Sequence, residues 1–225
     1  LLEKIGIQAY SIVGDPRIDR VLAISEKAPT FPEIEAFIQG RNVLVAGSTW
    51  PPDEDRLLGF LQDDLPGNWC LILAPHDIGP KHLHWLESQI EIDYQKYSTL
   101  SEQKEYGKIL IIDNIGMLSA LYQYGKIAYI GGGFGQGIHN TLEPMAFKLP
   151  VIFGPKFQKF TEARFLTDEK AGFSIDTIED LIRSFNYLET PIHYQSANEK
   201  IANFLNTNAG ATQTIYDFGV EYTYW

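Results

Sequence analysis

Short runs of apolar and β-branched residues, Asn42–Gly47, Trp69–Pro75, Lys108–Asp113, Ile127–Gly132 and Pro150–Gly154, recur along the chain at the spacing of βα units. Each run is nearly continuous rather than alternating, as expected of a strand covered on both faces, and such strands belong to parallel sheets with helices above and below. The intervening segments carry helical spacing: Asp53–Leu65, with Leu57, Leu58 and Leu61, then His82–Ile90, Met117–Tyr124 and Thr141–Phe147. After the last strong run come Thr161–Glu169, Ile178–Tyr187 and Asn198–Leu205 as further helices, with a short strand at Gly172–Ile175 between them. The expected fold class is α/β, a doubly wound parallel sheet with right-handed crossovers.

A chain of 225 residues suffices for one large domain or two small ones, and at this size roughly 70–75% of the unfolded surface is buried. No internal repeat or low-complexity stretch divides it. Pro29 and Pro32 interrupt the pattern near Lys27–Pro32 and set off a leading strand and helix over Gln8–Glu26. Residues 1–30 are therefore expected to connect to an absent domain, and residues 31–225 to form the ligand-binding domain. The opening Leu1–Ile5 shows neither an initiator Met nor a signal-peptide layout, so the sequence reads as cut from something longer. The aromatic tail, Tyr222–Trp225, is expected to pack on this domain or on a missing one.

Lys and Arg number 18 against 29 Asp and Glu, and the net charge of −11 argues against nucleic acid or an anionic membrane surface as the main partner. Any anionic ligand must be held locally. With 44% hydrophobic and 13% aromatic residues and no 18-residue apolar run, the chain is expected to be folded and soluble. The single cysteine, Cys70, lies in an apolar run, which excludes an internal disulfide framework and a Cys-rich zinc site and suits a reducing compartment.

Ligands of doubly wound sheets bind beyond the carboxyl ends of the strands. The loops in question are Gly47-Ser48-Thr49-Trp50, Ala74-Pro75-His76-Asp77, Asp113-Asn114-Ile115-Gly116 and the stretch from Gly131 to Thr141. The last has five glycines in its first seven positions, directly after a strand and before a helix, so its backbone can approach a ligand and present N–H groups to it. It reads as a phosphate cradle or, more plainly, as a flexible glycine-rich turn. It is not the dinucleotide fingerprint, because Gln136 stands where the third glycine belongs and no acid near Val151 is available for a ribose. No Gly-Lys-Ser/Thr phosphate loop occurs.

Pro144 lacks an N–H and belongs among the first three helical positions, which makes Thr141 the cap. A capping box from Thr141 would require Glu at position 144, so Glu143 is left either to accept two hydrogen bonds from a ribose diol or to stabilise the helix dipole. Ser48 and Thr49 read equally as caps of the following helix and as contacts to an anion or sugar. His76 reads as a structural residue or a phosphate partner, and Asp113-Asn114 as a turn and helix cap. His82 and His84 lack a third ligand for a metal.

As a set, these loops resemble those of the Kdo (3-deoxy-D-manno-oct-2-ulosonic acid) transferases of lipopolysaccharide synthesis. The motifs are Val45-Ala-Gly-Ser-Thr-Trp-Pro51, Leu73-Ala-Pro-His76, Ile112-Asp113 with Gly116-Met-Leu118, Gly131-Gly-Gly133 with Gly137-Ile-His-Asn-Thr-Leu-Glu-Pro144, and Pro150-Val-Ile-Phe-Gly-Pro155. The leading Gly14-Asp-Pro-Arg-Ile-Asp-Arg20 is similar to that family's entry into its second domain. The resemblance implies the Rossmann-like, carboxyl-terminal donor-binding half of a two-domain GT-B glycosyltransferase of Gram-negative bacteria. Such an enzyme moves Kdo from CMP-Kdo to the lipid A precursor without a metal or other cofactor, at the cytoplasmic face of the inner membrane. Acceptor and membrane contacts are implied for the amino-terminal half, and so is the general base, a Glu; no catalytic residue is expected in this chain. CMP and donor contacts are implied for Ser48, Thr49, Pro75, His76, Ile112, Gly116, Met117, Gly132, Gly133, His139, Asn140, Thr141 and Glu143. Of these, Glu143 serves the cytidine ribose, the glycines with His139, Asn140 and Thr141 serve the phosphate, and Ile112–Met117 borders the cytosine.

One position departs from the family, which commonly carries Arg where His76 follows Ala-Pro. A guanidinium is charged at any working pH, whereas an ordinary imidazole, with pKa about 6.5, is mostly neutral at pH 7. Either His76 serves the phosphate weakly or another cation, such as Lys156, substitutes. Apart from the resemblance, the residues also fit a GT-B transferase of a UDP-sugar and a non-catalytic nucleotide-sensing or interaction module.

Overall fold

The computed structural model describes residues 3–6, 8, 10–63, 65–102 and 105–221. The strands are β1 (Asn42–Thr49), β2 (Trp69–Pro75), β3 (Tyr94–Lys96), β4 (Ile109–Ile111), β5 (Ile127–Ile130), β6 (Val151–Phe153) and β7 (Gly172–Ser174). All pair in parallel in one sheet of order β3-β4-β2-β1-β5-β6-β7. The apolar runs are its centre: Leu44, Ile72, Leu110, Tyr129 and Ile152 are fully buried, one from each of five adjacent strands. Burial on both faces is what a parallel sheet sandwiched by helices imposes, and the expected α/β class is the one observed.

The helices are α1 (Pro16–Glu26), α2 (Pro32–Ile38), α3 (Pro51–Asp63), α4 (Pro80–Gln89), α5 (Leu118–Leu121), α6 (Leu142–Ala146), α7 (Thr161–Asp168), α8 (Ile178–Glu189), α9 (Pro191–Asn208) and α10 (Ala211–Glu221). Several begin on proline, whose missing N–H has no helical partner at that position in any case. α8 is framed by a capping box between Thr177 and Asp180. Its buried Phe185 meets Phe60 of α3 and Trp69 of β2 at ring distances of 4.9 and 4.7 Å. Among the described residues no helix is long and apolar enough to cross a membrane.

Two expectations are corrected, and two elements were not foreseen. Pro32 does not interrupt the chain but opens α2, whose Ile34 and Phe37 are buried. The leading strand is not formed among the described residues of that stretch: Ile12 is 91% exposed, and the segment joins the domain through α1, which packs on α5, α6 and α10. β3 and α10 carry too few buried apolar residues to have been read as elements. Residues 222–225, the aromatic tail, lie outside the described residues.

From β1 the chain runs through β2 to the edge strand β3, steps back to β4 between them, and then crosses to lay β5 on the other side of β1. The loops leaving β1 and β5 thus lie side by side at the carboxyl edge, where the strand order reverses and doubly wound sheets bind ligands.

Candidate functional site

At the end of β1 the register slips: Gly47 pairs with Ala74 and Thr49 with Pro75, leaving Ser48 in a bulge at φ 54°. A left-handed non-glycine residue costs roughly 1–3 kcal/mol and is held only where its surroundings over-determine it. Here the surroundings are the glycine-rich loop. A Cβ on Gly131 would lie 2.2 Å from the Ser48 carbonyl oxygen, and one on Gly133 would lie 2.6 Å from the Gly154 backbone. Glycine at both positions is therefore set by loop-on-loop packing. The loop's N–H groups turn largely inward: Gly135 and Gly137 donate to the Gly132 carbonyl, Ile138 to that of Lys156, and His139 to that of Gly131. The N–H of Gly132, expected to face a phosphate, donates instead to Asp53 Oδ2 at 2.9 Å.

Asp53, in the first turn of α3, is fully buried and also accepts from Tyr129 Oη at 2.8 Å and the Trp50 N–H at 3.0 Å. Burial pushes its pKa up, and these hydrogen bonds oppose the shift. The adjacent Glu54 is equally buried, accepts from Thr49 Oγ1 at 2.9 Å and lies 3.1 Å from His82 Nε2; burial raises its pKa too. Asp53 braces the glycine-rich loop and Glu54 braces the end of β1. The sequence alone singles out neither, because their partners stand far away in the chain.

Three grooves meet at His139. One, of about 330 Å³, lies between Ser48, Gly116, Tyr122, Asn140 and Glu143. A second, of about 530 Å³, runs past Trp50, Phe134, Gly132 and Gln136. The third, of about 520 Å³, is walled by Arg17 and Arg20 of α1 on one side and by Asn140 and Glu143 on the other. Glu143 is half-buried and accepts from Asn140 Nδ2 at 3.1 Å, while Asn140 Oδ1 accepts from the Leu142 N–H at 3.0 Å. Burial raises the Glu143 pKa, opposed by the Asn140 bond and the charge of Arg20. Thr141 occupies the cap position as expected, but its buried hydroxyl has no partner among the described residues, since the residue three positions on is Pro144. Asn140 does the capping instead.

His76 is sandwiched between Trp50 and His139, with ring distances of 4.4 and 4.7 Å. The Trp50 indole N–H donates to His139 Nε2 at 3.3 Å. An indole nitrogen only donates, so His139 must accept there, as a neutral ring with its proton on Nδ1. Burial, followed by the neighbouring His76, lowers the His139 pKa in keeping with that state.

Ser48, Gly116, Gly132, His139, Asn140 and Glu143 thus line the grooves. Thr49, Pro75, Ile112, Met117, Gly133 and Thr141 are buried beneath them and line none of the three. For Thr49 the cause is Glu54, which holds its hydroxyl inward. Asp113 does not cap a helix; it accepts from the backbone and hydroxyl of Ser98. Lys156 donates to the Gly135 carbonyl at 2.6 Å, bracing the loop. The cations that face the grooves are Arg17 and Arg20, which sequence reading quoted only as part of a leading motif. Among the described residues no three His, Cys, Asp or Glu side chains are grouped to hold a metal ion.

No family model matches the chain. It is 31% identical over 177 residues to a bifunctional glycosyltransferase/methyltransferase of Fusobacterium nucleatum, covering 76% of this chain and 27% of that protein. It is 28% identical over 231 residues to the 3-deoxy-D-manno-octulosonic acid transferase of Chlamydia muridarum, covering 94% of this chain and 52% of that protein. Among solved structures, the C-terminal CMP-Kdo binding domain of WaaA from Acinetobacter baumannii matches with a TM-score of 0.62 at 19% identity, over 81% of this chain and 98% of that one. The chain spans about half the length, or less, of the curated relatives it matches. The resemblance read in the loops is thus met again across most of the chain, and the fold is that of the carboxyl-terminal half of a GT-B glycosyltransferase.

Proposed function

We propose that this chain, a relative of the Kdo transferases, is the donor-binding half of a glycosyltransferase that moves Kdo from CMP-Kdo to the lipid A precursor. What carries the proposal is the convergence of Ser48, Gly116, His139, Asn140 and Glu143 on one cavity at the point where the strand order reverses. The half-buried carboxylate of Glu143, with Asn140 as its one hydrogen-bond donor here, has lone pairs left for the two hydroxyls of a ribose. In transfer, the acceptor hydroxyl forms a bond to the anomeric carbon of Kdo, the bond from that carbon to the phosphate oxygen breaks, and CMP leaves with the electron pair. The acceptor's proton goes to a base in the other half of the enzyme. This half holds the departing CMP and steadies its charge, without a metal. The other half brings the acceptor and the contact with the cytoplasmic face of the inner membrane.

The test is calorimetric titration of the chain with CMP and with UMP. Binding of CMP in clear preference to UMP is the expected result. Preference for UMP would assign a UDP-sugar donor, and binding of neither would leave an interaction module.

A further inference from the structure

The helix α1 presents two arginines to the third groove, and they differ in what neutralises them. Arg17 is claimed twice, by Asp15 at 2.7 Å and by Glu162 at 3.2 Å. Arg20, one turn on, forms no ion pair and no hydrogen bond among the described residues. Arg20 is exposed and faces Glu143 across the groove closely enough for its charge to act on that carboxylate, but the two form no ion pair, so its donors remain open to a ligand. A guanidinium's planar fork of donors matches carboxylate and phosphate oxygens. Arg20 lines the groove it shares with Asn140 and Glu143, and also the neighbouring one that it shares with Gly116 and Ser119. The cavity between Ser48 and Glu143 includes Gly116, Ser119, Asn140 and Glu143 as well, so the arginine stands over space continuous with the proposed nucleotide site.

We propose that Arg20 binds an anionic group of the nucleotide-sugar, the phosphate or the carboxylate of the sugar acid. The inference rests on the CMP-sugar reading above. Its test compares the chain with its Arg20→Gln, Arg20→Lys and Arg17→Gln variants in titrations with cytidine, CMP and freshly prepared CMP-Kdo. Arg20→Gln should weaken CMP-Kdo about tenfold or more and leave cytidine unchanged, with Arg20→Lys recovering part of the loss. If the phosphate is the contact, CMP weakens alongside CMP-Kdo; if the carboxylate, CMP-Kdo alone weakens. Arg17→Gln should weaken either ligand less than Arg20→Gln does, since that charge is already shared with Asp15 and Glu162; an equal or larger loss would move the contact to Arg17 and overturn the assignment to Arg20. Equal weakening of cytidine would show that Arg20 acts only through Glu143, and unchanged affinity for all three would show that it binds nothing; either overturns the proposal. Failure of the unmodified chain to bind any of the three would overturn the CMP-sugar reading itself, and this inference with it.

Discussion

Glu143 and His139 stand on the same cleft, and burial drives their pKa values in opposite directions. Glu143→Ala is expected to weaken CMP binding by about 1.5–3 kcal/mol, the scale of hydrogen bonds to a charged group. The circular dichroism spectrum should be unchanged, since the residue is half-buried at a cleft rather than in the core. An unchanged affinity would assign Glu143 to the helix dipole alone. Because its pKa is raised, the carboxylate is lost at a higher pH than in a free glutamate. CMP affinity should therefore fall as the pH drops through that raised value, and Glu143→Gln should lose that part of the pH dependence and keep only the part due to the ligand's own phosphate and base. His139 has a lowered pKa, so between the ordinary histidine value and the lowered one the unfolded chain binds more protons than the folded one. Stability should decline as the pH falls through that window. Urea midpoints measured on both sides of it should converge when His139→Gln removes the titrating ring; an undiminished pH dependence would place its source elsewhere.

Between elements, the acidic first turn of α3 ties the sheet's two central loops together. Asp53→Ala would leave the N–H groups of Gly132 and Trp50 and the Tyr129 hydroxyl without their shared acceptor. With buried donors costing about 1–3 kcal/mol each, a loss of roughly 3 kcal/mol or more is expected in urea melts, and Asp53→Asn, which keeps one carbonyl oxygen, should recover part of it. A loss near zero would show that the glycine-rich loop holds itself. This tie also marks where the sequence stops being readable. β1, β2, β4, β5 and β6 were legible because a strand buried on both faces must be apolar throughout. β3 was not, because its Tyr94, Gln95 and Lys96 are only half-buried at the sheet edge. α2 was hidden by Pro32, read as a break although the same missing N–H suits the first helical position. In the site, Glu143 could be singled out from its own neighbours, Pro144 and Thr141. Asp53 and Arg20 could not, since their meaning depends on Gly132 and on a groove walled by α1 and α6, and no local spacing records either.

The molecule as a whole carries a net charge of −11, and its glycine-rich loop is braced by internal bonds and by Lys156. If one arginine is the main counter-charge to the ligand, nucleotide affinity should depend only mildly on salt, because few ions are displaced. A steep loss between low and moderate salt would reveal further Lys or Arg contacts. The larger expectation concerns the division of labour. The chain spans about half the length of the Chlamydia muridarum transferase, and transfer requires the acceptor hydroxyl and a base to be held against the anomeric carbon in bonding geometry. Stabilising the leaving CMP lowers only part of that barrier. The chain by itself should therefore bind CMP and transfer nothing. Incubation with CMP-Kdo, generated in situ because it is labile, and a lipid A precursor, followed by mass spectrometry of the lipid, checks this against a full-length transferase. Kdo-bearing lipid formed at a comparable rate would mean that the base lies among these residues. The buried carboxylates of Asp53 and Glu54 would then be the first to revisit, although both face inward and already hold partners.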